Sequence, residues 1–388
     1  MTAPVYSSID LVRRLVAYDT TSRGSNLELI TFVQEYLEAY GVESELTFDP
    51  GGKKANLYAT IGSKELGGVM LSGHTDVVPV DGQAWKTDPF AVVEAGDKLY
   101  GRGTADMKSF LAVALALLPE IKARKLKMPV HFAMSFDEEV GCQGVRHLIT
   151  ALAKKPVKPR LCIIGEPTLM KPVSAHKGKV SWRCEVHGHE SHSALAHQGA
   201  NAVEAAAEMI AYLKAAARQK RDKGPFDPRF DPPYSTIHTG TVNGGTALNI
   251  VPKDCSFVFE CRHVPGDDPH AVYDNLMTYA NTHILPEMRA VSAATGIDVE
   301  VVTAVPGLGA DPNGEAMQMV LALTGANEAG TVAFGTEGGL FQEAGIPTMV
   351  CGPGSIEQAH KPDEFIAAEQ IVQCKGFLRR LLDRLTTV

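Results

Sequence analysis

The chain has 388 residues, 45% hydrophobic and 21% charged, with 37 basic against 45 acidic side chains and a formal net charge of -8. That length supports two packed cores, and the acidic balance without a long basic run offers nothing to a phosphate backbone or an anionic bilayer, so neither nucleic acid nor membrane is expected as a partner. The 7 cysteines include no C-x-x-C pair, which argues against a disulfide framework and against a thiolate metal site.

Met1 to Asp19 holds no apolar stretch of signal-peptide length, and the longest apolar run, Phe110 to Pro119, is too short to span a bilayer, so a cytoplasmic protein is expected. Asn56–Ile61, Gly68–Leu71, Val130–Phe136 and Leu161–Ile164 read as buried strands, separated by helices such as Met107–Lys122 and Gly144–Ala153. That alternation predicts a layered α/β sheet. From Lys179 the texture changes. Val180–Val186 and Ser256–Arg262 alternate like antiparallel strands around a helix from Asn201 to about Lys220, and a helix over Pro269–Ile284 and a strand over Asp298–Val305 complete a β-α-β-β-α-β-like unit. After Pro306 the α/β rhythm returns, with strands at Thr331–Phe334 and Thr348–Cys351 and a closing helix from about Ala367 to Leu385. The expected organisation is a discontinuous first domain, 1–178 with 306–388, carrying an inserted domain, 179–305.

Chemistry concentrates where the α/β strands end, the place ligands occupy in open sheets. His74 and Asp76 follow a strand in L-S-G-H-T-D, and Asp106 opens a helix in G-R-G-T-A-D-M-K. Glu138 and Glu139 follow H-F-A-M-S-F-D, Glu166 follows L-C-I-I-G, and His360 stands in G-P-G-S-I-E-Q-A-H-K-P. Imidazole and carboxylate ligands without cysteine suit catalytic Zn2+, and would accept Co2+ or Mn2+. Two divalent cations carry about +4, three carboxylates supply about -3 and a hydroxide would supply the last -1, a balance that permits burial. One carboxylate must then bridge, and Asp106, short and stiff, is the best candidate. Inside a strand Glu138 and Glu139 would face opposite ways, so both serve one site only from the loop beyond it. One can ligate while the other takes a proton from water. Asp76 fits a carboxylate that fixes the tautomer of His74.

Taken singly, an exposed Asp or Glu is ordinarily a solvated charge and a lone His a hydrogen-bonded loop residue; the pattern outweighs any member. His131, His147, His176 and His238 are left with that structural reading, and Arg218, Lys220, Arg221 and Lys223 read as a solvated helix end. Gly101–Asp106 begins like a dinucleotide loop, but Asp stands where the third glycine belongs. His189-Glu190-Ser191-His192 spaces its histidines three apart where a zincin needs four, and no G-x-S-x-G elbow occurs.

These segments resemble the di-zinc deacylase and carboxypeptidase family over nearly the whole chain. Ser72-Gly73-His74-Thr75-Asp76-Val77-Val78-Pro79 matches its first metal motif, Gly101–Lys108 its bridging-Asp motif and Asp137-Glu138-Glu139-Val140-Gly141 its base-and-ligand pair. The resemblance implies a three-layer zinc-peptidase-like catalytic domain with an inserted ferredoxin-like α+β lid that mediates homodimerisation. It implies His74 and Glu166 on one zinc, Glu139 and His360 on the other, Asp106 bridging, Glu138 as general base and Asp76 supporting His74. His192, in Gly188–Ser193, would reach a partner subunit's site and hold the oxyanion; Arg262 matches a carboxylate-binding arginine and Asn249 a lid asparagine near the substrate.

The implied substrates are small N-acyl amino acids. Phe334–Glu337 and Cys351–Phe365 are most similar to the branch that hydrolyses N2-acetyl-L-ornithine, with arginine biosynthesis as the setting. N-succinyl-diaminopimelate, N-acetyl-citrulline and C-terminal glutamate belong to related branches, and a non-catalytic scaffold is the reading from another class. Ser109 and Gly338-Gly339 depart from the family's usual Gly and Ala-Pro. Glu337 either reads the δ-ammonium of an ornithine-type substrate or stays behind the site without touching it.

Overall fold

A computed structural model describes residues 3–386. The chain divides into two compact units. The first takes in the chain up to Ala175, Leu308–Thr331 and the chain from Thr336 on; the second takes in His176–Gly307 and Val332–Gly335. The strand expected over Thr331–Phe334 is Gly330–Val332.

The first unit is built on a nine-stranded sheet whose centre runs Val130–Ser135, Val69–His74, Leu161–Pro167, Thr348–Gly352, all parallel. Every residue of these four strands is buried, which is why each reads as a continuous apolar run without alternation. Ser44–Phe48 and Ala55–Ile61 extend one side antiparallel. The parallel register sets His74 opposite Ser135 and Gly352 opposite Pro167, so the carboxyl ends of the central strands form one rim.

Helices Ser8–Val16, Lys108–Ala116 and Ala368–Leu385 contribute to one large core with the strands. The helix expected over Met107–Lys122 is two, Lys108–Ala116 and Leu118–Ala123, with Pro119 in the first turn of the second. Pro119 has no N–H for the turn before it and its ring crowds that turn's carbonyl, so the helix breaks at Leu117. At the point where the first of these helices crosses the sheet, the Phe110 ring lies directly over Gly165.

His131, in the Val130–Ser135 strand, shows what burial does to an imidazole. Its Nδ1 lies 2.8 Å from the Tyr58 hydroxyl, and its Nε2 accepts from the Gly68 amide at 3.2 Å. That amide leaves no room for a second proton, and burial, helped by the charge of Lys155, lowers the pKa from 6.5 to about 4. The unfolded chain takes up this proton first, so stability is present above pH 6.5 and is lost as the pH falls toward 4. Acid titration of the unfolding free energy should show a loss of up to about 3 kcal/mol from this group, and His131→Gln should flatten that limb; an unchanged limb would refute the assignment.

The second unit is a four-stranded antiparallel sheet in the order Thr236–Gly244, Asp254–His263, Gly178–His187, Gly296–Val305. With helices Ala202–Lys223 and His270–Tyr279 it is a ferredoxin-like βαββαβ unit. The two central strands alternate buried and accessible residues along most of their length, the period-two pattern of a sheet with one covered face, and Trp182 stacks on Phe259 at 5.0 Å in its core. The helix expected to stop at Ile284 continues through a π turn, Ala280–Ile284, into Leu285–Val291. Pro286 falls in the first turn of that last segment, where its missing N–H costs nothing. No helix among the described residues is long and apolar enough to cross a membrane.

Candidate metal centre

Five short connections on the rim of the first unit bring the acids and histidines together. His74 is the last residue of its strand, and Glu166 lies in Leu161–Pro167. Asp106 precedes the Lys108–Ala116 helix, after a turn in which Gly103 takes φ +84 and the Lys108 amide donates to its carbonyl at 2.9 Å. Glu138 and Glu139 sit in the loop beyond Ser135, opened by Asp137 at φ +54 and closed where Gly141 and Cys142 donate to the Glu138 carbonyl. His360 follows the turn Ile356–Gln358 with φ +64, a left-handed conformation that favours glycine.

His74 Nε2 lies 3.0 Å from Asp106 Oδ1 and 3.7 Å from Glu166 Oε1. His360 Nε2 lies 3.3 Å from Asp106 Oδ2 and 3.0 Å from Glu139 Oε2. Asp106 thus faces one histidine with each oxygen. Ligand atoms of His74, Asp106 and Glu139 all lie within 4.8 Å of one another, as do those of His74, Glu138 and Glu166. Behind them Asp76 lies 3.5 Å from His74 Nδ1 and accepts from Ser22 Oγ at 2.7 Å and from the amides of Glu138 and Glu139 at 3.1 and 3.3 Å. The Asp76 backbone carbonyl, 2.9 Å from His74 Nδ1, is the ring's hydrogen-bond partner, while the carboxylate holds the Glu138–Glu139 loop.

Charge is concentrated here. Burial, with the charges of Glu139, Glu337 and Asp106 and against that of His74, holds Glu138 well above the usual carboxylate range; burial and Asp106 do the same to Glu166 and, less strongly, to Glu139. Burial opposes ionisation of Asp106, yet hydrogen bonds with His360 and His74 hold it below its ordinary value. The bond with Asp106, then that with Glu139, raises His360 to about 10. Left to themselves, these groups balance their charge with protons on histidine. Divalent cations supply the same balance, and the donor set is the hard-to-borderline one they prefer. Glu139 Oε1, buried without a hydrogen-bond partner among the described residues, fits an oxygen that would take a cation.

Glu337 is 1% exposed, and burial pushes its carboxyl up to about 7 against the pull of Ser135 and His74. That setting suits a carboxyl behind the ligands better than one open to a substrate's ammonium group.

Several supporting residues are invisible in the sequence reading. Lys54 grips both Asp137 oxygens at 2.6 and 2.7 Å and holds the Glu138–Glu139 loop from a neighbouring strand's start. Buried Lys108 donates to the Tyr18 carbonyl at 2.8 Å. Glu364 accepts from the Ala105 and Asp106 amides at 2.8 and 3.1 Å. A signal was available for Glu364, an acid immediately before a short strand and four beyond His360, but nothing local ties it to a turn so distant in the chain.

His192, Asn249 and Arg262 belong to the second unit. His192 caps the turn Ser193–Gln198, accepting from the Ala194 amide at 3.1 Å, and its backbone pairs with Ile250 while the Asn249 carbonyl accepts from Ser193 at 3.0 Å. The structure therefore brings His192 and Asn249 together at one exposed loop pair. Arg262 donates through Nε to Glu260 at 3.0 Å from the Asp254–His263 strand.

A discontinuous sheet with paired histidines and carboxylates on its parallel rim, and a ferredoxin-like insertion, places the chain in a defined class: residues 70–384 match the model of peptidase family M20/M25/M40, and the chain belongs to that family. It is 34% identical over 389 residues to an acetylornithine deacetylase of Edwardsiella ictaluri, covering 98% of each chain, and 36% identical over 375 residues to an acetylornithine deacetylase of Myxococcus xanthus, covering 94% of each. Its fold is also that of a dinuclear metal-binding M20 peptidase from Bacillus subtilis, with a TM-score of 0.67 at 16% identity over 98% of both chains.

Proposed function

We propose that the chain is a dinuclear metal-dependent amidohydrolase that converts N2-acetyl-L-ornithine to L-ornithine and acetate, as a step of arginine biosynthesis in the cytoplasm. The observation that carries the reading is Asp106 set between His74 and His360, with Glu138, Glu139 and Glu166 around them. The substrate follows from the two curated relatives, which match nearly end to end.

His74 and Glu166 would hold one ion, Glu139 and His360 the other, and Asp106 both; Zn2+ fits the ligands, with Co2+ or Mn2+ as substitutes. Bound ions would polarise the scissile carbonyl and lower the pKa of water. Glu138, buried and raised in pKa, takes the proton of the attacking water and returns it to the departing amine. Arg262 binds the substrate α-carboxylate through the terminal fork of its guanidinium, which Glu260 leaves open by engaging only Nε. His192, exposed on its loop, stabilises the oxyanion from a partner subunit in a homodimer formed through the second unit, with Asn249 beside it. Glu337 shapes the pocket from behind.

The test is kcat/KM of the zinc-loaded protein for N2-acetyl-ornithine beside N-acetyl-citrulline, N-succinyl-diaminopimelate and a glutamyl peptide. A clear preference for acetyl-ornithine is expected. Equal or better turnover of another member would retain the amidohydrolase chemistry and remove the ornithine assignment, and absence of any hydrolysis with both ions bound would remove the chemistry as well.

A further inference from the structure

His360 is the ligand with the least support of its own. It stands beyond the end of the last central strand, its side chain is 53% exposed, and its backbone adopts φ +64. Gln83 supplies what the loop lacks. Its Nε2 donates to the His360 carbonyl at 3.0 Å, while its Oε1 accepts from Arg102 Nη2 at 2.6 Å and from the Trp85 indole at 3.0 Å. Arg102, 1% exposed, stacks 5.1 Å over the Trp85 ring and reaches the Lys361 carbonyl with Nη1 at 3.4 Å. The same Nη1 bonds Glu364 at 2.7 Å, and the other oxygen of Glu364 receives the Ala105 and Asp106 amides.

One buried guanidinium therefore stands between two backbone segments, the amides that orient Asp106 on one side and the carbonyls of His360 and Lys361 on the other. Those segments carry the two groups that meet at 3.3 Å, Asp106 Oδ2 and His360 Nε2. His74 and Glu166 have no part in this network, since both are held by strands of the sheet.

We infer that Gln83, through Arg102 and Glu364, is a positioning residue that fixes the separation of Asp106 and His360, and so sets the affinity of the one ion these residues share without setting that of the ion at His74 and Glu166. The inference rests on the dinuclear reading above. Its physical content is preorganisation: with the carbonyl of His360 tied, the imidazole need not be ordered when the ion arrives, whereas an untied loop must pay that ordering from the binding energy.

The experiment titrates Co2+ into metal-free full-length protein, following its visible absorption together with metal content after dialysis. Wild type should take up two ions. Gln83→Ala, at a partly exposed position, should bind the first with unchanged affinity and the second about ten- to hundredfold more weakly, the range for loss of a group that orients a ligand. Gln83→Glu, which keeps the oxygen for Arg102 but has no N–H for His360, should weaken the same ion. Wild-type affinity for both ions in Gln83→Ala would overturn the clamp while leaving the dinuclear centre standing, and equal weakening of both ions would overturn its selectivity. A wild-type stoichiometry below two would overturn the dinuclear centre, and the clamp with it.

Discussion

Glu138→Gln should retain both ions and lose turnover by about two to four orders of magnitude, the range for removal of a positioned proton shuttle. The substitution is nearly isosteric, and the features that place the side chain survive it: the Glu138 amide still donates to Asp76, and Cys142 Sγ, 3.5 Å from Glu138 Oε1, still faces an oxygen. What disappears is the capacity to hold a proton. Burial and the surrounding carboxylates raise the pKa of Glu138, so in the proposed mechanism the wild-type group would take a proton from water and keep it long enough to deliver it to an amine; an amide can do neither. Measured kcat at saturating substrate, beside metal content, separates this from loss of the centre. Undiminished kcat would assign the proton to another group, and lost metal would make Glu138 a ligand.

The second large effect concerns Gly165, which precedes Glu166. A Cβ there would fall 1.9 Å from Phe110 Cγ and 2.1 Å from Cδ1. Phe110 is 1% exposed and has no open side to turn toward, so Gly165→Ala should destabilise the protein by about 3 kcal/mol or more, at the upper end of overpacking. Relief is available only by removing the ring. Phe110→Ala alone should cost about 3–5 kcal/mol for the cavity it leaves, and because the added methyl occupies part of that cavity, the double variant should lie well above the sum of the two losses. Denaturant unfolding of the four proteins checks this; additivity, or a Gly165→Ala protein as stable as wild type, would contradict the packing.

The two lessons of the site differ in how far apart along the chain their causes lie. The parallel sheet was legible because its strands are buried on both faces and so read as apolar runs with acids and histidines just beyond them: His74, Glu138 with Glu139, and Glu166 each stand at such an end. The second unit was legible from its alternation, in Gly178–His187 and Asp254–His263. Its strand Thr236–Gly244 escaped naming, since it carries few apolar residues and lies largely exposed. Helix ends at Pro119 and Pro286 were misjudged in opposite directions, because a proline breaks a helix in its interior and is welcome in its first turn. The clamp of Gln83, Arg102 and Glu364 left no local trace at all. Arg102 and Glu364 are each ordinary charged residues in sequence, and only a fold that joins positions 262 apart turns them into a buried pair.

The position of the insertion also governs the order in which the molecule can be made. Leu161–Pro167 finds its parallel neighbour Thr348–Gly352 only after all of His176–Gly307 has been synthesised. On the ribosome, the inserted βαββαβ unit, whose strands all lie within one stretch, can close while that edge of the larger sheet is still bare, and a bare edge that begins with the apolar run Leu161–Ile164 invites pairing with other chains. Closing so long an excursion is slow compared with local hairpins. Asp106 and Glu139 therefore lack the His360 imidazole that both approach until that residue, made after the whole insertion, has emerged.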